Sequence, residues 1–350
     1  MSFKFRKMMA FTAAASLSLA ALAGCGGSSS SAPAATEKQT QAASEAASGA
    51  EGGKVYQIGI CQLVQHDALD RATKGFEDAL VELLGEGNVE FSEQNAQGDS
   101  QNCASIANQF VSDGKDLIMA NATASLQACS NATKDIPVVA TSITSFASAL
   151  DIELDANGCT GFNVTGTNDL APLDQQAQMI ADLFPEVQQV GLLYCSAEAN
   201  SAYQIEHIEG FLDTLNIAYK EYSFSDSNDL QSVVTTAVSD CDVMYIPTDN
   251  TAASNTELID SVTRPAGVPV IVGEESLCRV CGLASLSIDF YDIGHRAGEM
   301  AYEILVNGAD PATMPVEDPD PESLDKVYNP ELAKVLNITL PEDYEELNLD

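Results

Sequence analysis

The segment DVMYIPTDN, residues 242–250, sets an acid and an amide, Asp249 and Asn250, directly after a short apolar run. Val243 to Ile246 reads as a buried strand, and an Asp or Asn at such a point caps the helix that follows or faces a ligand. The pattern recurs. Gln65, His66 and Asp67 follow QIGICQLV; Asn121 and Thr123 follow DLIMA; Thr141 and Ser142 follow IPVVA. Ser196, Glu198, Asn200 and Ser201 follow GLLYC, and Glu274 and Glu275 follow PVIVG. Hydroxyls and backbone N–H groups at helix starts bind anions. Carboxylates bind cationic donors through strong charge-assisted hydrogen bonds.

Other chemistry finds less support. The CRVC pair, Cys278 and Cys281, resembles a redox motif, but GEES occupies the strand-to-helix turn where a reactive thiol belongs. No second CxxC or histidine cluster completes a zinc site. His66, His207 and His295 are the only histidines, and no G-x-S-x-G elbow follows a strand. Glu274 and Glu275 form an acid pair that nothing orients for proton transfer. The expectation is therefore a binding protein with no catalytic residue, metal or cofactor.

The elements that position these residues alternate. VYQIGICQLV, NVEFSEQNA, DLIMANA and IPVVATS read as strands, each followed or preceded by a segment of helical period such as ALDRATKGFEDALVELLG. After GCTGFNVTG the cycle restarts with a helix in PLDQQAQMIADLF and strands in QQVGLLYC, IAYKEYSF, DVMYIP and VPVIVGE. Such alternation means parallel sheets covered on both faces. Two successive series imply an α/β chain of two similar, doubly wound lobes with a ligand cleft between them. In such sheets the crevice lies at the carboxyl ends of the strands, where the recurring polar residues fall. The expected division is 55–163 plus 285–314 for the N-terminal lobe and 164–284 plus 315–350 for the C-terminal lobe, with ASLSIDF and TMPVEDP as crossings. A strand near Lys326–Tyr328, a helix over Pro330–Leu336 and a loosely ordered end complete the expectation.

Fifteen basic against 52 acidic residues give a formal charge of −37, which argues against nucleic acid or anionic lipid as partners. Lys4, Arg6 and Lys7 precede the short apolar stretch Met8–Leu22, which reads as a signal peptide over residues 1–24. It ends in LAGC, a lipobox-like sequence that implies lipidation of Cys25. Residues 25–54 then read as the lipidated cysteine and a disordered tether spanning roughly 30 Å. The expected location is the extracytoplasmic face of the cell membrane, with membrane contact through the lipid alone. Eight cysteines remain in a disulfide-permissive compartment. Cys61, Cys195 and Cys241 fall inside strands as small apolar residues, and Cys103 with Cys129 and Cys278 with Cys281 are the first disulfide candidates.

Several ordered motifs carry a resemblance: IGICQLVQHDALDRATKGF, NAQGDSQNCASIANQFVSDGKDLIMANATAS, IPVVATS, NVTGTNDLAP, GLLYCSAEANS and VMYIPTDN. Together they resemble the tryptophan/tyrosine-type ABC-transporter substrate-binding lipoproteins. The resemblance implies the type I periplasmic-binding-protein fold, with three crossings forming a hinge, a monomer, capture of a small solute, and delivery to an ABC permease. It favours an aromatic amino acid, with sugar, nucleoside and branched-chain amino-acid cargo, or a sensory or adhesion role, as alternatives. The family's TDP-like turn is missing from TSITSFASALDIELD, residues 141–155, beside the cleft. On an amino acid, Thr123, Thr141 and Ser142 are expected to hold the carboxylate. Asp249 first and Glu198 second are expected to hold the ammonium. His66, Asn121, Asn200, Asn250 and Glu274 complete the expected site, with Phe146, Tyr203 and Phe290 as candidate aromatic walls.

Overall fold

The structure, a computed structural model, describes residues 54–320 and 323–349. The expected leader, Cys25 and the tether up to residue 53 lie outside the described residues. In the first lobe, β1 (Tyr56–Gln62), β2 (Val89–Asn95), β3 (Leu117–Asn121), β4 (Val138–Ile143) and β5 (Val164–Asn168) form a parallel sheet in the order β2-β1-β3-β4-β5. Helices α1 (Asp67–Leu84), α2 (Ser100–Asp113), α3 (Thr123–Ala132) and the short α4 (Phe146–Leu150) connect its strands. The strand residues alternate between two buried faces. Ile58, Ile60, Leu117 and Met119 serve one core. Cys61, Ile118, Ala120 and Val138 serve the other. A sheet buried on both sides needs such continuous apolar runs.

The second lobe repeats the plan. Strands β6 (Val190–Cys195), β7 (Tyr219–Phe224), β8 (Val243–Ile246), β9 (Val270–Val272) and β10 (Ala284–Ser287) run in the order β7-β6-β8-β9-β10. Its helices are α5 (Leu173–Leu183), α6 (Ala199–Leu215), α7 (Ser227–Asp240), α8 (Asn250–Ala253), α9 (Thr256–Ala266) and α10 (Glu275–Val280). Helix α11 (Phe290–Asn307) returns to the first lobe and lies along α1. The two backbones nearly touch: a Cβ on Gly75 would sit 2.1 Å from the Tyr291 carbonyl oxygen, and one on Gly294 would sit 2.0 Å from that of Ala72. Only glycine permits that approach.

The lobe boundaries differ from expectation. Val164–Asn168 pairs with β4 in the first sheet, and Ala284–Ser287 pairs with β9 in the second. Each crossing therefore comes after the fifth strand of its lobe, at residues 169–172 and at Ile288–Asp289. Residues 315–317 also stay with the first lobe, where Pro315 bridges Cys159 and Glu317 bridges Thr167. Both strands are short: VTGTN is polar, and ASLS lies between β9 and the later segment Asp325–Tyr328, so neither has the long apolar run of a central strand. In β5, Gly166 has φ 148°, and a Cβ there would lie 1.8 Å from the Ala140 carbonyl oxygen.

The tail holds β11 (Asp325–Tyr328) and α12 (Pro330–Leu336), as expected. Its end is not loose: β12 (Glu345–Glu346) pairs with β11, and the flanking Tyr344 and Leu347 are buried. All eight described cysteines are free, so neither disulfide candidate is formed. Cys103 instead lies 3.5 Å from the Ser125 hydroxyl. Burial pushes the Cys278 and Cys281 thiols up, the reverse of what redox chemistry needs.

Candidate ligand site between the lobes

Both sheets follow a 2-1-3-4-5 strand order, so each has a switch point between its first and third strands. The two switch points face each other. Between them lies a cavity of ≈ 390 Å³, within the usual range of small-molecule sites. Leu63 and Thr123 line it from the first lobe, and Glu198, Asn200 and Asn250 from the second.

The first lobe offers donors. Helix α3 starts at Thr123 with no side-chain cap on its N-terminus; its N-cap is Ala122, at φ 85°. The first N–H groups of such a helix stay open to an anion. Ser142 has φ 58° and is 5% exposed, and its hydroxyl has no hydrogen-bond partner among the described residues. Thr141 and Asn121 serve the lobe itself. Thr141 accepts from the Thr167 hydroxyl at 2.8 Å, and the Asn121 amide donates to the Leu69 carbonyl at 2.8 Å and to Thr73 Oγ1 at 3.0 Å.

The second lobe offers acids, but their partners rank them differently from expectation. Asp249 is fully buried; it accepts from the Ala252 N–H at 2.8 Å and from the Cys195 N–H at 2.6 Å. It caps α8 and ties that helix to β6. Glu198 accepts from the N–H groups of Asn250 at 3.1 Å and Thr251 at 2.8 Å, and from the Thr251 hydroxyl at 2.7 Å. Asn200 donates to Glu198 at 3.2 Å and to the Thr248 carbonyl at 3.2 Å. Glu274 is different. Ser276 donates to its Oε1 at 2.9 Å, whereas Oε2 has no partner among the described residues and the side chain is 1% exposed. Burial, then the nearby Asp169, Asp249 and Asp67, push Glu274 up to about 8.

Asp169, absent from the sequence-based site, lies 4% exposed at the first crossing and accepts from Thr144 at 3.3 Å. Burial pushes it up to about 7. Its signal is its place after β5 in NVTGTNDLAP, a strand whose polar sequence hides it from periodicity.

His66 reaches across the cleft, with Nε2 3.2 Å from Asn250 Oδ1. The Asn250 amide nitrogen donates to Glu198 at 2.7 Å, which fixes the amide's orientation. His66 Nε2 must therefore carry the proton. Burial lowers the pKa of the ring, so it is neutral and Nδ1 is a bare acceptor. That atom too is buried without a partner among the described residues. Gln204 donates to Thr144 at 3.5 Å, and Arg71 Nη1 lies 3.9 Å from Glu275, so the lobes are in contact at several points.

The expected aromatic walls fall elsewhere. Phe146 belongs to the first-lobe core and Phe290 to a cluster at the hinge. Tyr203 stacks on His207, centroids 4.0 Å apart, beside a small recess shared with Thr123 and Asn200.

A profile of the ABC transporter substrate binding protein family matches residues 57–347. The chain belongs to the ABC transporter substrate-binding protein family. It is 33% identical over 338 residues to the tyrosine-binding protein of Clostridioides difficile (strain R20291), covering 96% of this chain and 93% of that one. A Streptococcus pneumonia ABC domain solved in complex with L-Trp is 33% identical, covers 82% of this chain and 96% of its own, and superposes with a TM-score of 0.78. The ligand-free, open structure of a Clostridium difficile substrate binding protein with adhesive properties is 32% identical, covering 85% and 100%, with a TM-score of 0.64. At almost equal identity, this substrate-binding protein is more like the ligand-bound structure than the open one, in keeping with its touching lobes. These likenesses bear out the two-lobed periplasmic-binding-protein fold.

Proposed function

We propose that this protein captures an α-amino acid, with an aromatic one favoured, in its interlobe cleft and delivers it to an ABC permease. One observation carries the reading: the closed seam leaves three buried acceptors, His66 Nδ1, Asn121 Oδ1 and Glu274 Oε2, and one buried hydroxyl, Ser142, without a partner among the described residues. Unpaired buried polar groups are costly unless a ligand completes them. An ammonium, with three N–H donors, suits the acceptors, and a carboxylate suits Ser142, Thr123 and the uncapped start of α3. Glu274 takes the ammonium role first expected of Asp249. The tyrosine-binding and L-Trp-bound relatives favour an aromatic side chain. Leu63, Val64 and Ala124 line the cavity together with Thr123, whereas His66, Ser142 and Glu274 lie outside its lining.

Lipidation at Cys25 would hold a monomer on the extracytoplasmic face. None of the described helices is long and apolar enough to cross a membrane. The relative with adhesive properties favours a second reading, adhesion, alongside transport.

A thermal-shift screen tests the ligand. Tyrosine, tryptophan or phenylalanine should raise the melting temperature by several degrees at ~100 times its Kd. A shift with sugars or nucleosides alone would contradict the amino-acid reading.

A further inference from the structure

Glu274 stands where the lobes meet: Arg71 of α1 lies 3.9 Å from the adjacent Glu275, and Glu274 itself is buried with its Oε2 unpartnered among the described residues. The carboxylates around it come from both sides: Asp169 from the first crossing and Asp67 from α1, with Asp249 from the start of α8. No described cation on the elements packed against α10 is free to offset them. Arg71 on α1 holds Asp289 at 2.6 Å with Glu275 at 3.9 Å, and Lys74 holds Asp78 at 2.6 Å. Arg264 on α9 holds Asp260 at 2.9 Å, and Lys326 on β11 holds Asp343 at 2.7 Å. Arg279, on α10 itself, holds Glu275 at 2.6 Å. His66 is neutral. An ionised carboxylate enclosed among other acids is strongly disfavoured.

We propose that Glu274 gates closure by charge: the lobes close over it when a positive charge matches it, either the ligand's cationic group or a proton. For its ligand arm this rests on the amino-acid reading above; the proton arm is a property of the empty protein. In the closed form Glu274 is buried with Asp169, Asp249 and Asp67 as its acidic neighbours, and the gate requires that opening return its carboxyl to water. Closure then raises its proton affinity toward the value of about 8 found here. The closed form binds the proton more tightly, so the closed fraction of the empty protein rises as pH falls. The change is up to about tenfold per pH unit for each proton taken up. Above that range only a cationic ligand closes the cleft.

Small-angle scattering of the full chain without ligand, from about pH 8.5 down to about pH 5.5, reads the gate directly. The radius of gyration should fall as pH falls. Glu274→Gln, neutral throughout, should be compact at both ends, and Asp169→Asn should move the transition to lower pH. L-tyrosine should compact the wild type at high pH. A radius that does not change with pH overturns the gate. So does a Glu274→Gln variant that keeps the full response, because Asp169, Asp249 or the general charge of −37 would then be its source. If pH compacts the protein as expected but no aromatic amino acid does, the gate stands and the amino-acid reading falls.

Discussion

The two faces of the cleft share one strand order and present opposite chemistry. The first-lobe face offers donors, an uncapped helix start at Thr123 and the free hydroxyl of Ser142, with its acids Asp67 and Asp169 confined to the side facing Glu274. The second-lobe face is acidic, with Glu198, Asp249 and Glu274 after three of its strands. A repeated topology fixes where a ligand sits, and the residues after each strand decide which end of it each lobe takes. The proposed zwitterion would need both faces, one for each pole.

The comparison sharpens inside the second lobe, where acids of like placement do different work. Asp249 serves folding. Replacing it with Ala strands the Cys195 and Ala252 N–H groups, and chemical denaturation should show a loss of about 2–4 kcal/mol. Glu274 is the acid we propose for the ligand. Glu274→Gln should fold normally yet weaken amino-acid binding by about 1.5–3 kcal/mol, or ~10–150-fold, by calorimetry. If Asp249→Ala were stable and blind to ligand, the two roles would be reversed. Across the cleft, Ser142→Gly keeps a backbone suited to φ 58° and removes only the hydroxyl. It should cost binding about 1 kcal/mol, near fivefold, with little loss of stability.

The smallest effect is a slope. Burial raises the folded pKa values of Asp169 and Asp249 from 3.8 to about 7 and that of Glu274 from 4.5 to about 8. The folded state therefore binds more protons than the unfolded state between these limits. Their contribution is fully present below about pH 4 and is lost as pH rises through about 8. The ligand-free melting temperature should fall over that window, and less steeply in Glu274→Gln. Equal slopes in the two proteins would place the titrating groups elsewhere.

Much of this was legible in the sequence because periodicity is local. The βα alternation, the helix at Pro330–Leu336 and the post-strand positions of His66, Glu198, Asp249 and Glu274 all follow from short windows. The crossings were not legible, because β5 and β10 are short strands whose membership depends on distant pairing, β5 with β4 and β10 with β9 and β11. The roles of the acids were not legible either. Asp249 is engaged by the N–H of Cys195, which lies 54 positions earlier in the chain. Glu274 is left open because nothing distant reaches its Oε2. Sequence supplied the acids, and only the fold shows which of them still has an unmet acceptor.

The measurement that bears most directly on this account is an isothermal titration of the full chain with L-tyrosine and with its deaminated analogue, which keeps the carboxylate and the ring. One site per chain is predicted for L-tyrosine, with binding of the analogue weaker by at least the factor lost in Glu274→Gln. Equal affinity for the two compounds, or binding of neither, would contradict the claim that the cleft reads both poles of an amino acid.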